Sequence, residues 1–515
     1  MNQNELKLFI EKAKKHGIHS QSDYAAMASK IKPEIRIPKV KNKSHIQNLS
    51  ILKADDFFSE ENRMKNSKFE EAIEKNVKKS KIYLPEKYDS YKCIEYILQN
   101  DVRLAKLDND IIIYNSPNGT WYFLRSKEGR RIFNACIPRE ILEKYDLDKS
   151  QKLYDSVEVF PDIEQKSLPS DPYRQYMLNF LDGVYDCHTG ELMPHNPDYL
   201  FFYCINAKAS DIQDSYYNAP LLREYLKNSL QNNEEKIVTL QEMLGIALST
   251  IRNQKMSFFL LGKSNSGKSV ILNVLGMLLN GFVSTLSFSQ LNSRFEPALL
   301  LGTWLNISGE IPDLSDNKIQ MFKNLVGNDS ITTSYKGKDG FTLKNQALLV
   351  FGANEMPAVS KPDQAYFNRI RILSYDVSVP KELWIDHLAE RIFDEEIGYF
   401  LRFAIDGLIS FINNGMQLTY DYVSNNLVEK YKHSCNSFID FANNYIIYSQ
   451  GNKLKSKDIR IAYESFCVRN SLKPLAANIC SSLLKDIYDT DNTTVGKAGD
   501  KGYTNLALTN NITMD

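Results

Sequence analysis

Met256-Ser257-Phe258-Phe259-Leu260-Leu261, then Gly262-Lys263-Ser264-Asn265-Ser266-Gly267-Lys268-Ser269, then Val270-Ile271-Leu272-Asn273-Val274-Leu275: this stretch decides the reading of the chain. A continuous apolar run fits a buried strand, and apolar spacing after Ser269 fits a helix. Between them stands G-x-x-x-x-G-K-[ST], the phosphate-binding loop. Glycines let the backbone curl so that amide N–H groups converge on phosphate oxygens, and the helix adds the positive end of its dipole. On this pattern Gly262, Ser264, Asn265, Ser266, Gly267, Lys268, Ser269 and Val270 are expected to hold a nucleoside triphosphate. Lys268 would reach the β- and γ-phosphates and Ser269 would ligate Mg²⁺. The motif alone also occurs by chance; strand, loop and helix in register make it specific.

Working outward, the downstream chain supplies further candidates. Trp304 to Glu310 reads as a strand ending in a carboxylate, Glu310, placed to hold Mg²⁺ or polarise water. Leu348 to Ala353 is an apolar strand ending in Asn354, an amide able to orient a water or sense a terminal phosphate; an Asn opening a turn before Pro357 is the plainer alternative. Arg369 and Arg371 alternate along a strand-like segment, where an arginine can stabilise charge on a transferred phosphoryl group. Between these lies Gly327-Asn328-Asp329, then an alternating stretch bent at Lys336-Gly337-Lys338-Asp339-Gly340. That reads as a hairpin with a basic tip, either a solubilising surface loop or a finger for a phosphodiester backbone.

At 515 residues the chain is too long for one core, and about 100–200 residues per domain suggests three or four. Residues 1–81 read as a charged helical region and 82–165 as a small α+β domain. A pre-core domain with helices follows over 166–250, the α/β core over 251–376, a helical segment over 377–420 and a final unit over 421–515. Within 82–165, Ile111 to Tyr114, a Pro117-Asn118-Gly119 turn and Trp121 to Leu124 form a predicted hairpin. Asp108-Asn109-Asp110 has a metal-like D-x-D spacing, but a turn before the Ile111 strand accounts for it. Asn179 to Asp186 reads as one strand, with a second over Glu191 to His195. Leu221 to Ser229 and Lys236 to Ser249 have helical spacing. Near the end, helical faces around Phe438, Ile459 and Leu475 to Ile487 precede a hairpin over Gly496 to Leu508, an order that suits a winged helix–turn–helix.

Net charge is zero, so any nucleic-acid surface must be local, as around the lysines of residues 7–43. The seven cysteines are scattered and never C-x-x-C, which speaks against a zinc ribbon or disulfide framework and fits a reducing compartment. No apolar run approaches the ~18 residues of a membrane span and the start lacks a signal-peptide pattern; the expectation is a cytoplasmic protein with no membrane contact.

The ordered set of phosphate loop, Glu310, Gly327-Asn328-Asp329, basic hairpin, Asn354 and Arg369 resembles the superfamily 3 helicases, most closely the poxvirus and phage/plasmid primase–helicases. The resemblance extends to Leu178 to His195 before the core, to Ile397 to Leu408 after it, and to the unit beyond Ser437. It implies an α/β multidomain protein with an AAA+-like P-loop core, helical and small α+β domains before it, and a C-terminal winged helix. It further implies a homo-hexameric helicase on single-stranded or forked DNA, with possible origin duplex contact and a separate primase or polymerase as partner. ATP would lie between subunits, Arg369 coming from the neighbour with Arg371 as second candidate. Lys336 and Lys338 would line the channel. Gly309 stands where many relatives carry a second acid, which leaves open how Glu310 and Asp313 share metal binding and water activation. An origin-binding ATPase that does not unwind, and a bifunctional primase–helicase, are the competing readings.

Overall fold

The computed structural model describes residues 83–100, 102–145, 150–161, 163–252, 254–291, 293–309, 316–357, 359, 362–470, 472–488, 490, 492–495 and 500–509. The expected helices of 1–81, and the candidates Glu310 and Asp313, lie outside these residues.

The described chain starts with α1 (Ser90–Gln99), whose first amides are capped by the Asp89 carboxylate. Strands β1 (Leu104–Leu107), β2 (Asp110–Asn115) and β3 (Thr120–Phe123) form an antiparallel meander. Helices α2 (Lys127–Ala135), α3 (Arg139–Lys144) and α4 (Ser150–Glu158) follow, and β4 (Glu164–Lys166) pairs parallel to β1. Period-two alternation divides this sheet between two cores. Leu104, Ile111 and Ile113 face its own helices, while Ala105, Ile112 and Tyr114 join the large central core. Asp108 and Asn109 form the β1–β2 turn, with Asp108 at φ +52, and Asp110 pairs with Arg125.

The stretch read as one strand over Asn179–Asp186 is instead a hairpin. β5 (Met177–Phe180) and β6 (Gly183–Asp186) are joined by Leu181-Asp182, and β7 (Leu192–Met193) pairs with β6. Asp182-Gly183 is a turn signal; the apolar alternation around it masked the reversal. The Asp182 carboxylate accepts from the amides of Ala209 and Ser210, which pulls its pKa down against the cost of burial.

Helices α5 (Pro220–Leu230) and α6 (Glu234–Leu248) lead into a five-stranded parallel sheet. In chain order its strands are β8 (Ser257–Gly262), β9 (Val283–Ser284), β10 (Leu305–Ser308), β13 (Leu348–Ala353) and β14 (Ile370–Tyr375). In space they stand β14-β8-β13-β10-β9. Helix α7 (Lys268–Leu278) follows β8, and α8 (Asp316–Gly327) precedes an inserted antiparallel hairpin, β11 (Ser330–Ser334) and β12 (Gly340–Lys344). β13 is buried along its whole length, as expected of a central parallel strand covered on both faces. The buried Arg252 guanidinium lies 4.2 Å above the Trp304 ring and donates to five carbonyls, tying the last turn of α6 to β10 and to the approach of β13.

Helix α9 (Leu388–Asn413) returns along α6 and breaks helical geometry at Glu396 (φ −130°, ψ 17°). The buried Glu396 carboxylate accepts from the amides of Leu221 and Leu222 at 2.8 and 2.9 Å, capping α5 from a residue far away in sequence. Along α10 (Asp421–Tyr445), Val428, Tyr431 and Cys435 enter the central core and Phe438, Phe441 and Ala442 a separate terminal one. That terminal unit comprises β15 (Ile446–Lys455), α11 (Ser456–Arg469), α12 (Ala477–Tyr488), β16 (Asn492–Val495) and β17 (Asp500–Leu508), with sheet order β15-β17-β16. Of the hairpin expected over Gly496–Leu508 only β17 falls in that range, its partner β16 lying wholly before it, and the sequence gives no sign of β15, whose apolar pattern Ser449-Gln450-Gly451-Asn452 interrupts. All seven cysteines are free thiols. Among the described residues no helix is long and apolar enough to cross a membrane.

Candidate functional site

The carboxyl end of a parallel sheet is where ligands sit in open α/β folds, and here β8 delivers the Gly262–Ser269 loop to that end. Gly262 has no room for a Cβ, which would overlap the Tyr375 carbonyl on β14. The loop turns through left-handed backbone at Asn265 (φ +59) and Gly267 (φ +93) before α7 starts at Lys268.

The Lys268 ammonium folds over the loop. It donates to the carbonyls of Gly262 (2.6 Å) and Lys263 (2.8 Å), to the buried Ser266 hydroxyl (3.1 Å) and to Asn354 Oδ1 (3.4 Å). Burial pulls its pKa down, because desolvation disfavours the charged form. Among the described residues its partners are neutral oxygens, so its charge is free to meet an anion. The Ser269 hydroxyl is exposed on the first turn of α7, and Val270 closes that turn through its amide to the Gly267 carbonyl. Asn354, at the tip of β13, also donates to Ser264 Oγ at 3.4 Å. The structure thus brings Ser264, Ser266, Lys268 and Asn354 together. β10 runs parallel to β13, Ser308 opposite Phe351, so its exit lies at the same end of the sheet.

On the other flank, the segment after β14 holds the loop in place. Ser378 Oγ donates to the Ser264 carbonyl (2.9 Å) and the Val379 amide to the Asn265 carbonyl (2.8 Å). Behind the loop, a Cβ on Gly267 would overlap the Ser229 hydroxyl on α5 and touch the Tyr225 ring at 3.1 Å. Tyr225 and Tyr375 share a buried hydroxyl–hydroxyl bond of 2.8 Å, and Lys236 on α6 pairs with Asp376 at 2.5 Å. These supporting residues carry no motif; their only sequence signal is helical burial.

The arginines stand elsewhere. Ile370 aligns with Ser257 and Tyr375 with Gly262, which puts Arg371 roughly 13 Å and Arg369 roughly 20 Å from the loop of their own chain at about 3.3 Å per residue. Arg369 donates to the Ala365 (2.7 Å) and Lys323 (3.2 Å) carbonyls, beside the Gly327-Asn328-Asp329 turn. Arg371 pairs with Asp421 at 2.9 Å. Lys336 and Lys338 are exposed at the tip of the β11–β12 hairpin, where Gly337 has φ +75. The base of that hairpin rests on the small N-terminal sheet: Arg125 lies 5.0 Å over Phe341, and Lys344 is 3.9 Å from Asp108.

Two families match consecutive parts of the chain: residues 139–230 match the family described as D5 N terminal like, and residues 260–369 match a family of unknown function, DUF5906. The chain thus carries a D5 N terminal like segment ahead of a DUF5906 segment that holds the loop. A protein of Acanthamoeba polyphaga mimivirus described as a helicase is 21% identical over 313 residues, 53% of this chain and 30% of that protein. The match therefore spans less than a third of that relative's length. Two apo structures of the C-terminal region of NrS-1 align over 81% and 82% of this chain, covering 98% and 100% of theirs. They do so at 11% identity with TM-scores of 0.40 and 0.41. The D5-like match starts in the small α+β domain and ends with α5; the second runs from β8 to Arg369, across the loop, the hairpin and Asn354.

Proposed function

We propose that this chain is an ATP-dependent DNA helicase that works as a hexameric ring in the replication of a mobile genetic element. The observation that carries the reading is the meeting of the Lys268 ammonium and the Asn354 amide at the tips of adjacent parallel strands, over a loop whose left-handed residues aim it outward. A half-buried ammonium ringed by neutral oxygens, with an exposed hydroxyl at the first turn of the next helix, is a donor set suited to a triphosphate and its metal. Lys268 would hold the terminal phosphates, Ser269 and Glu310 would hold Mg²⁺, and Asn354 would orient the attacking water. Bound Mg²⁺ would offset charge on the phosphoryl oxygens.

The sheet order, with β8 between β13 and β14, supports an AAA+-like core. The distance of Arg369 and Arg371 from their own loop is what a finger serving a neighbouring subunit needs. The exposed Lys336 and Lys338 suit contact with the backbone of single-stranded DNA. In the terminal unit, two helices followed by the β16–β17 hairpin support a winged helix–turn–helix at the DNA.

Strand displacement on forked DNA tests the reading. Wild type unwinds with ATP, and Lys268→Ala loses turnover by roughly a hundredfold or more, the scale of removing one electrostatic stabiliser of a transition state. Equal unwinding by the variant rejects the helicase reading. Nucleotide-dependent binding of duplex DNA without displacement by wild type would replace it with an origin-binding ATPase.

A further inference from the structure

The flank of the loop opposite Asn354 carries a tryptophan to which the mechanism gives no task. Residues 376–384 leave β14, pin the loop through Ser378 and Val379, and turn through a short 3-10 segment, Lys381–Leu383, to Trp384. The Trp384 side chain is fixed at one edge: its indole Nε1 donates to the Val379 carbonyl at 2.9 Å, and the Val379 amide in turn donates to the Asn265 carbonyl of the loop. Its own amide donates to the Lys381 carbonyl at 3.1 Å. The ring nevertheless stands 49% exposed, whereas Trp121 and Trp304 are 2% and 4% exposed. The Lys381 ammonium lies 6.0 Å from the ring centroid.

Lys268 and Asn354 mark where the terminal phosphates would lie, between β8 and β13. A nucleotide whose sugar and base extend away from Asn354 would lie against the flank built by 376–384, which contacts the loop through Ser378 and Val379. We propose that Trp384 is the nucleobase platform of this site, its indole face stacking on the purine of the bound nucleotide. The inference rests on the nucleotide-binding reading of the Gly262–Ser269 loop and deepens it. A ring already held at one edge by its indole hydrogen bond, on a backbone itself bonded to Lys381, loses little freedom when a base stacks on it. Aromatic stacking tolerates any base with a π face, so the platform favours nucleotides over bare phosphates more than one base over another.

The test uses the full chain and two ligands, ADP with Mg²⁺ and inorganic tripolyphosphate with Mg²⁺, followed by tryptophan emission and by calorimetry. Trp384 is the exposed one of the three tryptophans, so its emission reports directly. ADP quenches the wild type and tripolyphosphate does not. Trp384→Ala loses the quench and weakens ADP roughly thirtyfold, the middle of the range for one stacked base, while its affinity for tripolyphosphate stays within about twofold. Trp384→Phe keeps most of the ADP affinity because it keeps an aromatic face. ADP binding unchanged in Trp384→Ala overturns the proposal, and a simultaneous change in assembly state would give the ring to a subunit contact instead. Equal weakening of both ligands also overturns it, since the ring would then shape the loop rather than hold a base. A wild type that binds neither ligand fails the loop reading itself, a result distinct from all of these.

Discussion

Replacing Gly267 by Ala separates the two reasons a glycine stands there. Its backbone sits at φ +93, ψ 1, which an L side chain adopts at a cost of about 1–2 kcal/mol. Its new Cβ would also overlap the Ser229 hydroxyl and come within 3.0 Å of the Ser229 Cβ on α5, and overpacking of this kind costs about 1–3 kcal/mol. Gly267→Ala should therefore destabilise the chain by about 2–5 kcal/mol. The steric part is removable. Ser229→Ala takes away the hydroxyl, so the double variant should regain about 1 kcal/mol or more beyond additivity. Urea denaturation of the four chains followed by circular dichroism gives the cycle, each variant being compared only with the others. A coupling near zero would refute the reasoning: α5 would not then seat the loop, and the whole cost would be backbone strain.

Further outcomes follow from other contacts. Glu396→Ala removes the cap on α5 and should cost about 1–3 kcal/mol in thermal denaturation, with Glu396→Gln recovering part of it; an alanine variant as stable as wild type would remove the cap from the account. The Asp363 carboxyl is held below its usual range, first by the Lys323 hydrogen bond and then by the Tyr366 amide. A depressed folded pKa contributes stability above the unfolded value of about 3.9, lost as pH falls through the folded one. The Tm gap between wild type and Asp363→Asn should thus be full at neutral pH and close in acid; a gap independent of pH contradicts the pair. Lys336→Ala with Lys338→Ala should leave stability within about 0.5 kcal/mol and lower the salt slope of single-stranded DNA affinity by about 1.4. An unchanged slope takes the hairpin tip off the DNA path.

Much of the core was legible because its signals are local. β8, its loop and α7 follow one another without interruption, β13 is an unbroken apolar run ending at Asn354, and the Lys336–Gly340 bend stands between alternating residues. Where local signals compete, the pattern of consecutive residues misleads. Leu178, Phe180 and Val184 keep an apolar alternation across Asp182-Gly183, so a hairpin passed for one strand. β15 carries a polar stretch at Ser449 to Asn452 and is a strand because β17 pairs with it, a partner about fifty residues on in the chain.

By itself the sequence determined that a strand meets a glycine loop and a helix at Gly262–Ser269, since backbone permissiveness and apolar period are properties of consecutive residues. Only the tertiary structure decided what surrounds that loop. Tyr225 with Tyr375, Glu396 with the first turn of α5, and Ser378 with Ser264 join residues of separate elements. Such pairs carry no period, and they form because burying α5, α6 and α9 on the sheet leaves each polar group one place to find a partner.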